Sequence, residues 1–308
     1  MEKLNTHVRE LLKNGIVDLV IAYGQREIPI TNGSTVTSVG PVFITREKEV
    51  GGLVWNRGCV HNLVTYLTKK DYARYQRIAI VVKPCDFKAI NVLLQEHQID
   101  RQRLFVIGLS CNGTLSGTIE ETAGLGPGHM PRKCIDCRAA HQGAIARCAS
   151  EDVDLAIDEL PDGELPAEPK GEMPGIEELE KMSIDERRAF WQGQFQKCLR
   201  CYACRSVCPL CYCEQCVCDM SQPQWVDKSP HLKGNFLFHI VRAFHLTGRC
   251  INCGECERVC PMGLPLTLLN QKMIKDVKEL YDYESGNDPE QAPLMSQFKV
   301  DDDESFIK

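Results

Sequence analysis

Through the first 110 residues, short unbroken apolar runs alternate with stretches of helical period. "IVDLVIAY", "PVFIT", "RIAIVV" and "RLFVIGL" read as strands, whereas "GCVHNLVTYLTKKDYARY" and "DFKAINVLLQEHQ" read as amphipathic helices. Strands that are apolar on both faces need helices on both faces, so this order predicts an α/β domain with a parallel sheet over residues 1–150. Inside it, "NGTLSGTIEETAGLGPGHMPRK" (112–133) is rich in glycine and small polar residues and reads as a loop. Between Glu151 and Phe190 there are 14 acidic and four basic side chains, with four prolines before Gly175. Residues 151–189 therefore read as a linker, laid over the surface or partly disordered, that ends in the helical period of "IEELEKMSIDERRAFWQGQFQ". Residues 190–284 predict a mainly helical second domain, and 285–308 an acidic tail, disordered or docked on another subunit.

The 308 residues, 43% of them hydrophobic, leave room for two cores. No window approaches the roughly twenty uninterrupted apolar residues of a transmembrane segment. The N-terminal "MEKLNTHVRELLKNG" has no apolar h-region and is not a signal peptide, so the expected compartment is the cytoplasm. In a reducing compartment the 18 cysteines point to metal or catalysis rather than to disulfides. The net charge of −6 comes with no basic stripe interleaved with aromatics, which argues against nucleic acid as a partner.

Residues 197–218, "KCLRCYACRSVCPLCYCEQCVC", hold eight of those cysteines. The run Cys198-x2-Cys201-x2-Cys204-x3-Cys208-Pro209 recurs as Cys250-x2-Cys253-x2-Cys256-x3-Cys260-Pro261. Three cysteines two residues apart let one short turn wrap an iron–sulfide cube, and the fourth, beside proline, ligates the other cluster. Hence Cys198, Cys201, Cys204 and Cys260 are expected to hold one [4Fe–4S] cluster, and Cys250, Cys253, Cys256 and Cys208 a second. Zinc is the rival for any single CxxC pair, but two copies of a run ending in Cys-Pro favour iron–sulfur. The 41 residues between Cys208 and Cys250, with helical "SPHLKGNFLFHIVRAFHLTGRC", are too long for a compact hairpin ferredoxin. They resemble the α-helical ferredoxin domain of fumarate-reductase iron–sulfur subunits, in which each cluster is held between helices.

Four further thiols, Cys211, Cys213, Cys216 and Cys218, read as spare groups packed near the clusters, with an additional metal centre as the sharper alternative. Cys85 and Cys111 each follow a predicted strand, so both thiols should face the carboxyl edge of a parallel sheet, where such folds bind their ligands. With the CxxC pair Cys134 and Cys137 they make four ligands for a third [4Fe–4S] cluster. Cys59 is a fifth candidate at that edge, and an inert core thiol is the plain reading of any one of the five. His61, His239 and His245 are placed to donate to cluster sulfurs if they are not simply core or surface residues. Lys83 and Asp86 flank Cys85 and could tune a potential.

"VKPCDFKAI", "IGLSCNGT", the "KCIDC" pair and "KCLRCYACRSVCPLCYCEQC…RCINCGECERVCPMGLPL" together resemble the beta subunits of methanogen-type formate dehydrogenases. These belong to the deazaflavin-linked hydrogenase and dehydrogenase beta-subunit family. The resemblance spans most of 50–137 and nearly all of 195–275. It implies FAD and several [4Fe–4S] clusters, and electron transfer between a metal-containing catalytic subunit and either the deazaflavin or a heterodisulfide-reductase complex. It also implies Cys85, Cys111, Cys134 and Cys137 as the α/β-domain ligands and leaves Cys59 unassigned. Two departures bear on the flavin: the family's N-terminal Gly-Gly loop and its glycine-rich stretch after the CxxC pair have no counterpart here. A flavin needs close backbone approach, and "GLGPGH" is a weak substitute, so FAD is expected to be absent.

The resulting expectation is a cytoplasmic electron-transfer subunit with no catalytic acid, base or nucleophile. Its partners would be a formate-dehydrogenase- or hydrogenase-like catalytic subunit and a heterodisulfide-reductase-like flavoprotein. The alternatives are an FAD-bearing subunit that itself reduces or oxidises a deazaflavin or nicotinamide, and a zinc scaffold with no redox role.

Overall fold

The structure is a computed structural model that describes residues 1–29, 35–115, 129–140, 145–148, 151–166, 175–296 and 300. The "GLGPGH" stretch up to Gly128, much of the 112–133 loop and most of the distal tail lie outside the described residues.

Five strands form one sheet in the order β2-β1-β3-β4-β5: β1 (Leu19–Pro29), β2 (Thr35–Ile44), β3 (Ile78–Val82), β4 (Leu104–Leu109) and β5 (Leu155–Ile157). The pairs β1–β3, β3–β4 and β4–β5 are parallel, whereas β1 and β2 pair antiparallel. The expected parallel sheet is thus mixed at one edge. Only residues 30–34 join β1 to β2, enough for a hairpin but far short of the crossover that a parallel pair requires. All five residues of β3 are buried, the signature of a central strand covered on both faces. Helix α1 (Glu2–Lys13) closes over the sheet with Leu4, Val8 and Leu11, one stripe at helical spacing. Helix α2 (Pro84–Gln95) follows β3 directly, started by Pro84 at its first turn.

Two sequence expectations change here. "GCVHNLVTYLTKKDYARY" forms two short 3₁₀ turns, Leu63–Tyr66 and Lys70–Tyr72, instead of an α-helix. The Asn62 side chain accepts from the Val64 N–H at 3.0 Å, a local bond that competes with helix propagation, and Cys59, Val60, Leu63 and Val64 are buried on every side rather than along one stripe. The acidic 151–189 stretch, read as linker, supplies β5, and Asp154 Oδ2 caps the Val106 N–H at 2.7 Å. The sheet therefore runs past residue 150, because three residues paired on one side suffice for an edge strand.

The second half carries α4 (Ile176–Lys181), α5 (Ile184–Phe195), α6 (Ala203–Ser206), α7 (Leu232–His245), α8 (Glu255–Arg258) and α9 (Leu266–Tyr281). Ser183 and Glu186 form a capping box that starts α5. Phe195, Phe238, Leu264 and Leu266 build a small core with Cys204 and Cys256. Leu210, Leu246, Ile251, Cys208 and Cys253, by contrast, join the large core of the sheet domain. One hydrophobic mass thus spans both halves. No helix among the described residues is long and apolar enough to cross a membrane.

The described start of the tail packs on its own chain. Asn91 Nδ2 donates to the Gly286 carbonyl at 2.9 Å, and Gln95 Nε2 donates to those of Asp288 and Gln291. Gly286 has φ +77°, and a Cβ there would stand 2.3 Å from the Lys88 carbonyl oxygen. Gly286→Ala is expected to release this segment from α2 and to destabilise the chain by more than about 1 kcal/mol, read as faster hydrogen exchange at the amides of residues 286–291. Unchanged exchange would show that the α2 bonds do not hold it.

Candidate metal centres

The two cysteine runs fold alike. In the first, Arg200 and Tyr202 have φ of 57° and 60°; in the second, Asn252 and Gly254 have 55° and 69°. These left-handed residues flank the middle cysteine of each run, and each turn passes into a single-turn helix, α6 or α8. Such a conformation is strained for Arg and Tyr and persists where a site dictates it. It curls three thiols around one point, as a cubane requires.

Cys198, Cys201, Cys204 and Cys260 line one small cavity, walled by Phe238 and Leu264. Cys201 is exposed and Cys204 buried. The Arg200 and Leu264 N–H groups each approach a thiol, Cys198 and Cys260, at 3.4 Å. His239 Nε2 stands 3.3 Å from Cys198 Sγ. Burial, with Arg242 and Arg200 behind it, pushes His239 down to about 3, so the ring is neutral. His245 lies exposed, and His61 Nδ1 meets Arg258 Nη2 at 3.2 Å.

Cys208 is buried and within electrostatic reach of Cys250, Cys253 and Cys256. Asn270 Nδ2 donates to Cys256 Sγ at 3.6 Å. Burial pushes Cys204 and Cys250 up to about 12; a bound metal is what would keep such thiols deprotonated at neutral pH.

The third set sits where strand polarity puts it. β3 and β4 are parallel, so Cys85, which opens α2, and Cys111, two residues past β4, share the carboxyl edge. Helix α3 (Arg132–Ala140) brings Cys134 and Cys137 within electrostatic reach of Cys111, which in turn neighbours Cys85. The Gly113 N–H donates to Cys111 Sγ at 3.4 Å, and the Thr114 hydroxyl lies 3.6 Å from Cys134 Sγ. Beside them Lys83 Nζ pairs with Asp86 Oδ2 at 2.6 Å and donates to the His61 carbonyl. Burial acts to lower Lys83, and the Asp86 carboxylate outweighs it, holding the ammonium well above the usual lysine range. Cys59 is buried, pushed up to about 12 by that burial, and hydrogen-bonded by the Asn56 N–H.

Among the described residues no three His, Cys, Asp or Glu converge tightly enough for a single metal ion. The "CYCEQCVC" thiols fall into separate contacts. Cys211 hydrogen-bonds Cys208, which lowers Cys211 and raises Cys208; Cys216 and Cys218 pair with each other; Cys213 is exposed.

Buried nitrogens complete the fit to anionic groups. Lys133 Nζ, Arg200 Nη1 and Arg242 Nε have no hydrogen-bond partner among the described residues. Arg242 lies between the two C-terminal sets, in reach of Cys204, Cys208 and Cys256. A negatively charged cluster would compensate such cations. Sequence reasoning missed Lys133, Arg242, Asn270 and Cys148. Cys148 is the one cysteine that the sequence reading does not name, and it packs on β4, where a Cβ at Gly108 would meet its Sγ at 3.1 Å. None of the four carries a spacing signal; only the fold brings them in.

Comparison with known proteins gives matches to two families and to curated relatives. Residues 75–211 match the family defined by the C terminus of the coenzyme F420 hydrogenase/dehydrogenase beta subunit, and residues 245–264, which include Cys250, Cys253, Cys256 and Cys260, match the 4Fe-4S binding domain. The chain is 26% identical to the F420-dependent formate dehydrogenase subunit beta of Methanocaldococcus jannaschii, over 93% of this chain and 92% of that one. It is likewise 26% identical to the F420-dependent formate dehydrogenase 1 subunit beta of Methanococcus maripaludis, over 92% and 90%. The sheet domain and the paired cysteine turns thus sit in a chain similar to F420-linked hydrogenase and dehydrogenase beta subunits, with a match to the 4Fe-4S binding domain over residues 245–264.

Proposed function

We propose that this chain is an iron–sulfur electron-transfer subunit of a formate-dehydrogenase-type oxidoreductase complex. The observation that carries the reading is the exchange of fourth thiols: Cys260 stands with Cys198, Cys201 and Cys204, and Cys208 with Cys250, Cys253 and Cys256. Cys85, Cys111, Cys134 and Cys137 would hold a third group. Bound there, [4Fe–4S] clusters would accept and pass on single electrons. The chain's own part is to exclude water, to donate N–H···S bonds from Arg200, Gly113 and Leu264, and to place Arg242 and Lys133 against the thiolates. These terms set cluster potentials.

The partners in this reading are a formate-dehydrogenase- or hydrogenase-like catalytic subunit and a heterodisulfide-reductase-like flavoprotein, in the cytoplasm, where 18 free thiols persist. A second reading, favoured by the F420 family match, is a flavin-bearing subunit that exchanges electrons with the deazaflavin itself. Anaerobic purification with iron, sulfide, zinc and flavin quantified together tests both. About twelve irons per chain, four for each cubane, is the expected result. About eight would remove the sheet-edge cluster, and a folded, iron-free, zinc-loaded chain would overturn the reading. One FAD per chain would favour the second.

A further inference from the structure

Lys133 stands at the joint between the two halves. It precedes Cys134 on α3, is only 9% exposed, and its Nζ lacks a hydrogen-bond partner among the described residues. Its stem lies across Gly254, the left-handed residue between Cys253 and Glu255: a Cβ built there would come 3.0 Å from Lys133 Cδ. The ammonium is within electrostatic reach of Cys85 and Cys134 on one side and of Cys253 on the other.

Its charge has no partner to spare. Glu255, the nearby carboxylate, is taken by Arg258 through two bonds of 2.8 Å, and Asp86 is taken by Lys83 at 2.6 Å. An uncompensated buried ammonium is strongly unfavourable. Besides Glu255, what faces it is sulfur from two different cysteine sets.

We propose that Lys133 is a positioning residue shared by two clusters, the one held by Cys85, Cys111, Cys134 and Cys137 and the one held by Cys250, Cys253, Cys256 and Cys208. The inference rests on the cluster reading above. Reduction of either cluster adds negative charge, and a cation fixed between them favours both reduced states. Lys133 thereby raises both potentials together and keeps neighbouring stations of the path matched. The cluster at Cys198, Cys201, Cys204 and Cys260 lies beyond it, next to Arg242, and is not served by Lys133.

The test is a redox titration, followed by electron paramagnetic resonance, of the full chain purified without oxygen. Signals are assigned by their loss in Cys85→Ala and Cys208→Ala chains. Lys133→Gln is expected to keep wild-type iron and to move both midpoints downward by at least a tenfold change in the reduction equilibrium, about 59 mV for one electron. The third signal should stay in place, and Lys133→Arg, which keeps the charge, should restore both midpoints. If the Gln chain loads less iron, Lys133→Met, which keeps the stem over Gly254 and removes only the charge, carries the same expectation. Wild-type iron with unmoved midpoints, or a shift in one cluster alone, would overturn this assignment by itself. A wild-type chain without iron would overturn the cluster reading and this assignment together.

Discussion

Cys208→Ala is expected to strip the cluster from the turn at Cys250, Cys253 and Cys256 while leaving the one around Cys198, Cys201, Cys204 and Cys260 in place. Iron should fall by about four atoms per chain, and electron transfer through the chain should be lost, because the stripped cluster is the one between the sheet edge and the exposed end. In the proposed reading the sequence neighbours of Cys208 hold one cluster and its spatial neighbours hold the other, so the variant separates the two readings of the motif. Cys211 is the complication. Its thiol is hydrogen-bonded to that of Cys208 and could substitute for it, so the double variant Cys208→Ala/Cys211→Ala is the cleaner chain. Loss of the 198–204 signal in its place would show that each run holds its own cube.

Removing the Asp86 carboxylate should have the largest effect on stability. Asp86 and Lys83 are 0% and 1% exposed and lie 2.6 Å apart, and breaking a buried pair from one side typically costs about 3–5 kcal/mol. Asp86→Ala leaves the Lys83 ammonium with only the Tyr23 hydroxyl and the His61 carbonyl. The expected loss is of that size in denaturant unfolding of the cluster-loaded chain. Lys83→Met/Asp86→Leu removes both charges and should recover most of it. A loss below about 1 kcal/mol for the single variant would mean that thiolates at Cys85 and Cys111 already balance Lys83.

The sequence reveals this molecule unevenly, for physical reasons. β1, β3, β4 and α2 are readable because their apolar runs are long enough to carry a period. The cysteine spacing is readable because ligand geometry acts through adjacent residues. β5 is not, since three residues in an acidic run carry no period, and the 58–75 segment misleads because burial from all sides mimics a stripe. Lys133 and Arg242 are invisible for another reason: each draws its meaning from sulfur atoms that only the fold brings near.

The large apolar core, shared by both halves, has a consequence for modularity. Leu210, Leu246 and Ile251 belong by sequence to the cysteine-rich half and by packing to the sheet, so a fragment cut after residue 189 would turn them out into water. This half cannot be lifted out and spliced elsewhere like a bead from a string. Exchange of such subunits between complexes would have to move the whole chain.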